Sequence, residues 1–215
     1  MKTDNFKFYS EYNLPVLLGK RASNLYELLD GIKTVPEASI YYHTHKFLKQ
    51  HHYLIPEPPN DFAYWIRNIL IQPKLGEMIA SINIAEFNNL EDLRKKFIYV
   101  LENYDRAGYE INCVGGFEFR FMSCITFWFK NKYEASNLKE FKDILEKIDI
   151  NTFFVNIFDS KLRQGKIKND FGEWFEVIGE DELAENISNI DPYTLTLEGL
   201  RKKILNLIQK YGKHK

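Results

Sequence analysis

One stretch of the sequence occurs twice, and this repetition constrains the fold more than any other feature. Residues 90–96 and 197–203 differ at a single position, where Asp92 of the first copy is replaced by Gly199. Other stretches precede both copies in the same order: residues 60–65 resemble 169–174, residues 22–25 match 135–138, and residues 6–10 resemble 119–123. We therefore interpret the chain as a tandem duplication.

The duplication predicts how the chain is divided. The expected first repeat covers residues 1–105, a connecting loop covers 106–116, and the second repeat covers 117–215. A self-complementary surface on one repeat is automatically present on the other. We therefore expect the repeats to pack about a pseudo-twofold axis, with one sizeable core or two small ones.

Each repeat is predicted to begin with a strand. Residues 6–18 show the period-two alternation of a half-buried strand, and residues 117–129 show it more strongly. The residues expected on one face of the second strand are Phe117, Phe119, Phe121, Ile125 and Phe127. We expect the two strands to pair into a small sheet.

A helix follows each strand, and both helices carry the same start signal. Asn24 is followed three residues later by Glu27, and Asn137 is followed by Glu140. This spacing is typical of a capping box, in which the two side chains bind amide groups that the first helical turn leaves without partners. Both sequences therefore predict where these helices begin.

Further helices complete each repeat. We expect a helix from about residue 36 toward residue 54, another that begins at Asn60 or Asp61, and a long helix at the end of each repeat. The Arg-Lys-Lys triplets at 94–96 and 201–203 are expected on the solvated side of those last helices. The sequence therefore predicts an α+β fold that is predominantly α-helical.

Charge and cysteine content exclude several classes of protein. The chain has 29 basic and 30 acidic residues and a net charge of −1. A nearly neutral chain has no overall electrostatic field that would attract a polyanion or a membrane surface. We therefore expect no general nucleic-acid binding and no membrane association. Cys113 and Cys124 cannot form a disulfide framework, and the first residues lack the apolar run of a signal peptide, which together favour the cytoplasm.

A histidine cluster is the part of the sequence whose side chains are best suited to binding a metal or transferring protons. Four of the five histidines lie within residues 43–52, shortly before Glu57 and Asp61. Histidine binds metals and transfers protons, but it also serves in helix caps, in cores and on surfaces. On a helix His45 and His52 would be about 10 Å apart along the axis at ~1.5 Å per residue, so we expect no metal site and no cofactor.

The candidate binding residues from this region are His43, His45, His52, Glu57, Asp61 and Tyr64. The second repeat has Asn156 and Phe158 where the first has His43 and His45, so the histidines are not needed to build a repeat. Either these histidines serve a function that only the first repeat has, or they arose by neutral sequence drift. Asp61 beside one of these two histidines would form a possible acid-base dyad.

No established catalytic motif is present in the sequence. It contains no glycine-rich phosphate loop, no Cys-x-x-Cys, no His-Glu-x-x-His and no Gly-x-Ser-x-Gly. We therefore assign no catalytic residue, and we favour a non-catalytic protein over an enzyme.

The stretch from His43 to Leu48, continued by residues 51–53 and 56–65, resembles a family of uncharacterised bacterial and archaeal proteins classed as a domain of unknown function. The resemblance extends over nearly the whole chain and includes residues 169–171 and 197–201. It implies a shared fold and no particular activity. Some members of the family lie beside sugar-transferring enzymes, which directs one hypothesis toward a carbohydrate or sugar-phosphate ligand.

Three functional hypotheses follow. The first is a non-catalytic binding or regulatory module that contacts a protein or a small polar ligand through the first repeat. The second is an enzyme or small-ligand binding protein with a pocket lined by the histidine cluster and by Tyr41, Tyr53, Tyr64 or Trp65. The third is an assembly component whose aromatic surface docks another chain.

Overall fold

The fold is α+β and predominantly helical, as the sequence predicts. The structure is a computed structural model that describes residues 4–46, 58–159, 169–190 and 195–212. Within these ranges it contains two strands, β1 (Phe6–Ala22) and β2 (Phe119–Ala135), and ten α-helices. No helix in the described ranges is long and apolar enough to cross a membrane.

The helices between the strands are α1 (Leu25–Thr34), α2 (Glu37–His43), α3 (Asp61–Asn68), α4 (Pro73–Ala80) and α5 (Leu90–Glu102). Those after β2 are α6 (Leu138–Leu145), α7 (Ile150–Phe154), α8 (Asp170–Val177), α9 (Asp181–Ser188) and α10 (Leu197–Tyr211). Short 3-10 turns occupy Ile84–Glu86 and Arg106–Gly108, and a π-helical turn, Val155–Asp159, directly follows α7.

β1 and β2 form an antiparallel two-stranded sheet, which confirms the predicted strand pairing. Both strands extend further toward their C-terminal ends than the alternation predicts. In each strand the alternation of buried and exposed residues also changes phase, because two adjacent residues are buried: Ser10 with Glu11, and Ser123 with Cys124. Such a change is typical of a β-bulge.

The phase change makes one prediction about β2 wrong. Phe119 and Phe121 are buried, but Ile125 and Phe127 lie beyond the change and are about half exposed. Phe117, which precedes the strand, is also exposed. The five residues expected on one buried face are therefore divided between the core and the surface.

The predicted capping boxes are confirmed. Asn24 Oδ1 accepts a hydrogen bond from the Glu27 amide at 3.0 Å, and Glu27 Oε2 accepts one from the Ser23 amide at 2.7 Å. Asn137 and Glu140 make the equivalent bonds at the start of α6. In each case the two hydrogen bonds satisfy one amide just before the helix and one amide in its first turn.

The helix predicted from residue 36 toward residue 54 begins as expected but is interrupted at Thr44, and residues 45–46 are helical again. α2 ends at His43, and Thr44 departs from helical geometry with φ −120° and ψ −78°. Its side-chain hydroxyl donates to the Ile40 carbonyl at 2.7 Å, which satisfies one of the carbonyls at the helix end. Residues 47–54 of the predicted helix lie outside the described residues.

The chain divides into two compact units, and each strand contributes to both. We call Asn13–Ile125 the continuous unit, and Met1–Tyr12 with Thr126–Lys215 the split unit. The start of β2 thus belongs to the continuous unit, and the start of β1 belongs to the split unit.

Aromatic side chains from the start of β2 fill the core of the continuous unit. The Phe119 ring lies 5.3 Å from Phe62 and 5.8 Å from Trp65, measured between ring centroids. The Trp65 indole Nε1–H donates to the Phe117 carbonyl at 2.7 Å. The Asn-Asp-Phe-x-x-Trp stretch at residues 60–65 therefore contacts a side chain of β2 and the backbone just before this strand.

The split unit has a core of the same kind. Phe6 at the start of β1 lies 5.3 Å from Phe141 and 5.5 Å from Phe171 between ring centroids. The Trp174 indole Nε1–H donates to the Asp4 carbonyl at 3.1 Å. The beginning of β1 is therefore held by helices that come after β2 in sequence.

Two arginines lie inside these units, so the prediction that the Arg-Lys-Lys triplets are solvated is wrong for their first residue. Arg94 is 7% exposed and donates from Nη1 to the Ile32 and Val35 carbonyls at 3.0 and 2.6 Å. Arg201 donates to the Ile148 carbonyl at 2.8 Å. Each guanidinium also pairs with a glutamate one turn earlier, which offsets the cost of burying its charge.

We expect Gly31→Ala to destabilise the protein by about 1–3 kcal/mol, although alanine favours a helix by up to ~1 kcal/mol over glycine. A Cβ at position 31 of α1 would overlap the Phe121 ring in the closely packed core. Urea denaturation of the full chain measures the change. Gly115→Ala is the matched control, because no atom lies within 4 Å of its added Cβ. Equal stability of the two variants would contradict the packing of β2 on α1.

Candidate functional site

The structure brings His43 and Asp61 together, two of the six residues that the sequence proposes. His43 ends α2 and Asp61 begins α3, and their Nδ1 and Oδ2 atoms are 2.7 Å apart. His43 is 3% exposed, whereas the side chain of Asp61 is 31% exposed. Asn60 caps α3 by accepting from the Ala63 amide at 2.8 Å, and this cap fixes the backbone position from which Asp61 reaches the imidazole.

The second imidazole nitrogen of His43 is also engaged. The backbone amide of Met122 in β2 donates to His43 Nε2 at 2.9 Å. Since an amide can only donate, Nε2 must be the unprotonated nitrogen, and the ring proton must lie on Nδ1. His43 is therefore a neutral imidazole that donates to Asp61 and accepts from β2.

This arrangement limits what His43 can do chemically. A general base or a metal ligand needs a free lone pair on the imidazole, and the lone pair of Nε2 is directed at the Met122 amide. Protonation of Nε2 would place two N–H groups against each other. The imidazole thus joins α2, α3 and β2 and has no ring nitrogen directed at a substrate.

His45 lies in a separate, fully buried environment. Its ring stacks on Tyr41 with centroids 5.7 Å apart, and Nδ1 is 2.9 Å from the Thr44 hydroxyl. Because that hydroxyl donates its proton to Ile40, it must accept from His45 Nδ1–H. Burial lowers the pKa of His45 to about 3, so this imidazole is neutral at physiological pH.

The remaining proposed residues do not extend the His43–Asp61 pair. Tyr64 projects from α3 and is 50% exposed. His52 and Glu57 lie outside the described residues. Within the described ranges, no three His, Cys, Asp or Glu residues are placed so that they could hold a metal ion.

Sequence reasoning did not find a group of exposed aromatic residues in the two strands. Five aromatic residues of the split unit, all in β1 or β2, are between 40% and 64% exposed: Tyr9, Tyr12, Phe127, Trp128 and Phe129. We call them the aromatic patch. A sequence signal was available, because the three consecutive residues at 127–129 cannot all face one side of a strand.

Comparisons with known proteins give a family and a related structure. A family model described as "Family of unknown function (DUF5752)" matches residues 3–209. A solved structure described as "The structure of OrfY from Thermoproteus tenax" is similar with a TM-score of 0.84 and 26% sequence identity, over 98% of this chain and 97% of that chain. Comparison with curated proteins gives no match. Neither description specifies an activity, a substrate or a ligand.

We expect both imidazoles to be Nδ1–H tautomers in solution. His43 Nε2 accepts from an amide, and His45 Nδ1 donates to a hydroxyl, so the same nitrogen is protonated in each ring. Long-range ¹H–¹⁵N NMR distinguishes the two tautomers, and the signals lost in His43→Asn and in His45→Asn assign each ring among the five histidines. An Nε2–H signal from His43 would contradict its bond to β2.

We expect His45 to make the protein less stable in acid. Its pKa is about 3 in the folded chain against 6.5 when unfolded. The unfolded chain therefore binds the extra proton between these values, and the free energy of unfolding falls as pH decreases below 6.5, by up to ~1.4 kcal/mol per pH unit. Urea denaturation at several pH values from about 7.5 to 5 compares wild type with His45→Asn. Parallel curves for the two proteins would contradict a neutral, buried His45.

Proposed function

Because the chain belongs to DUF5752, a family of unknown function, its role has to be inferred from its own contacts, and we propose that it is a non-catalytic binding module. The partner in this proposal is another protein that contacts the aromatic patch. The cytoplasmic location inferred from the sequence remains a prediction.

The contact that carries the non-catalytic part of the proposal is made twice, by chemically different side chains. His43 accepts from the amide of Met122 in β2. At the corresponding position of the second repeat, Asn156 binds the backbone of Tyr9 in β1: Oδ1 accepts from the amide at 3.4 Å, and Nδ2 donates to the carbonyl at 2.8 Å. A carboxamide has no acid-base chemistry near neutral pH, so strand anchoring is the property that the two residues share.

Further matched contacts support the tandem duplication as part of the proposal. Trp65 and Trp174 both donate to a backbone carbonyl just before a strand, and Arg94 and Arg201 both donate to carbonyls after the first helix of a repeat. We infer repeats at residues 1–105 and 117–215, with a connecting segment at 106–116 and pseudo-twofold symmetry. Under this interpretation the starting segments of the two strands are exchanged between the repeats.

The aromatic patch supports the binding part of the proposal. Large aromatic side chains are enriched in protein interfaces, where they bury area at a small entropic cost. The largest apolar patch on a typical monomer is about 300–600 Å² and is often functional. Five half-exposed aromatic side chains of 150–250 Å² each expose roughly 500 Å² in total, and this area is divided between the two faces of the strands.

A small polar ligand is the second possibility that the sequence raises, with a sugar or sugar phosphate as one example. That hypothesis uses His43, His45 and Asp61 as polar contacts. His43 is bound on both ring nitrogens, and His45 is sealed in the core with its Nδ1–H bound to Thr44. We therefore rank a protein partner first.

The experiment that tests this proposal is photo-crosslinking from the aromatic patch. We replace Phe127 with p-benzoylphenylalanine in the full chain, irradiate cells that produce it, and identify the crosslinked species by mass spectrometry. We expect a discrete protein adduct, because the side chain at this position is 55% exposed and the substitution leaves the core intact. Any captured protein is then purified and its binding to the wild-type chain is measured.

The same photo-reactive residue at Tyr99 of α5 is the matched control, since Tyr99 is an equally exposed aromatic residue outside the patch. The proposal requires that the adduct forms from position 127 and not from position 99. Absence of any protein adduct at position 127, or equal yields at both positions, would overturn it.

A further inference from the structure

We propose that His43 is a pH-sensitive switch: in mild acid its imidazole takes up a proton at Nε2, releases the Met122 amide and stays bound to Asp61. The start of β2, residues 119–123, is then held less firmly in the continuous unit. This inference goes beyond the proposed function, since the aromatic patch lies in the split unit and no step of the argument uses it.

The imidazole of His43 is held from two sides by groups of opposite kind. Asp61 Oδ2 accepts from Nδ1 at 2.7 Å, and the Met122 amide donates to Nε2 at 2.9 Å. A proton added at Nε2 strengthens the first contact, because it pairs an imidazolium with a carboxylate. The same proton abolishes the second contact, because an amide N–H cannot accept from another N–H. The two contacts therefore respond in opposite directions to one protonation.

Asp61 is the group that allows this buried ring to become charged. His43 is 3% exposed, and burial alone opposes an imidazolium. The side chain of Asp61 is 31% exposed, so it stays in contact with water while it binds the ring. A negative charge at hydrogen-bond distance favours the protonated imidazole. His45 behaves differently, because burial lowers its pKa to about 3 and keeps it neutral in mild acid.

Two further ionisable groups lie on the chain next to His43. The Tyr42 ring is 5.2 Å from the imidazole, measured between ring centroids, and the Lys46 ammonium is 4.3 Å from the centroid of the Tyr42 ring. A positive charge in this region disfavours a second one, so Lys46 opposes protonation of the imidazole. Asp61 and Lys46 therefore act on the ring in opposite directions, and Asp61 is the one in direct contact with it.

The charged side chains of the two elements packed against the ring are directed elsewhere. On α3, Arg67 is paired with Glu77 at 2.9 Å and its side chain is 43% exposed. On β2, Phe119 and Phe121 contact the imidazole, with centroids 4.7 and 6.2 Å away. Arg120 lies between these two phenylalanines in sequence, so it points to the opposite face of the strand, where it is exposed.

The second repeat has an equivalent strand anchor that does not titrate. Under the proposed duplication, Tyr9 of β1 occupies the position of Met122, and Asn156 occupies the position of His43. The Tyr9 amide donates to Asn156 Oδ1 at 3.4 Å. A carboxamide gains no proton in mild acid. Acid should therefore weaken the anchor of β2 and leave that of β1 unchanged.

The response has one expected direction. The Met122 contact requires an unprotonated Nε2, so it is present at neutral pH and is lost as pH falls. An imidazole in water takes up its proton near pH ~6.5. Below that pH, each further pH unit favours the released, protonated form by up to about tenfold.

An NMR titration of the full chain from about pH 7.5 to 5 tests the switch across this range. We expect Nε2 of His43 to change from the unprotonated to the protonated form while Nδ1 stays protonated. The Met122 amide proton should shift upfield with the same midpoint, because it loses its hydrogen bond. The Tyr9 amide is the matched internal control and should show no shift with that midpoint.

Hydrogen exchange measures the size of the response. After correction for the intrinsic pH dependence of exchange, the protection of the Met122 amide should fall about ten- to thirtyfold between about pH 7 and 5. The protection of the Tyr9 amide should stay nearly constant.

Two variants separate the two contacts of the ring. His43→Asn introduces the side chain that anchors β1 in the second repeat, so it should remove the pH response of the Met122 amide. Asp61→Asn keeps an acceptor for the Nδ1–H group but removes the negative charge, so the response should move to lower pH. The circular dichroism spectrum and thermal midpoint at neutral pH show that each variant is folded.

Three outcomes would overturn the inference, and all can be read from the wild-type chain. The first is a His43 ring that stays neutral in the folded chain at the acidic end of the titration. The second is a protonated ring beside an unchanged Met122 amide. The third is an equal loss of protection at Met122 and Tyr9, because acid would then act on the chain as a whole. None of these measurements involves the aromatic patch, so the switch and the proposed function fail independently.

Discussion

The burial of the first phenylalanines of each strand is the contact on which the rest of the structure depends. Phe119 and Phe121 of β2 complete a core whose other walls are helices that precede β2, and Phe6 and Phe8 of β1 complete a core whose helices follow β2. Neither set of helices packs against the first phenylalanines of the strand that directly precedes it in sequence. An indole N–H donates to a carbonyl just before each strand. The side chain of His43 accepts from the backbone of β2, and that of Asn156 donates to the backbone of β1. The two compact units are thus linked by the covalent continuity of both strands, and each core forms only when residues from distant parts of the sequence meet.

Local features of the fold could be predicted from the sequence, because their causes lie within a few residues. The helix starts at Asn24 and Asn137 were correct, and of the two predicted alternatives, Asn60 and Asp61, the cap is Asn60; each cap bonds an amide three residues away. The interruption of the predicted helix at Thr44 was not found, because the bond from the Thr44 hydroxyl to the Ile40 carbonyl has no distinct sequence signature. The burial of Arg94 and Arg201 was missed for a different reason. Three charged residues in a row predict a solvated surface, but an arginine can enter a core where carbonyl groups and a glutamate satisfy its guanidinium.

The candidate site shows the same division between local and distant causes. The sequence suggested that Asp61 could lie beside His43 or His45, and the structure brings it to His43. The bond that determines the state of that imidazole comes from the Met122 amide, and a backbone donor leaves no trace in a sequence. The comparison with Asn156 was more informative than the histidine itself. Under the proposed duplication one position holds histidine in the first repeat and asparagine in the second, and both side chains make hydrogen bonds to a strand.

The aromatic residues of the strands require a physical account, since the same composition that builds the cores also covers part of the surface. An aromatic-rich chain is expected to bury its rings, and most of its phenylalanines are buried. In β2 the change of phase at Ser123 and Cys124 instead leaves Phe127 and Phe129 about half exposed. Roughly 500 Å² of apolar surface corresponds to about 12 kcal/mol of transfer free energy at ~25 cal/mol per Å². Covering that surface on association would release a free energy comparable with the ~4–15 kcal/mol of lost translational and rotational freedom. Because the free energy gained by covering the surface and the cost of lost freedom are similar, the patch is better suited to a reversible contact than to a permanent one.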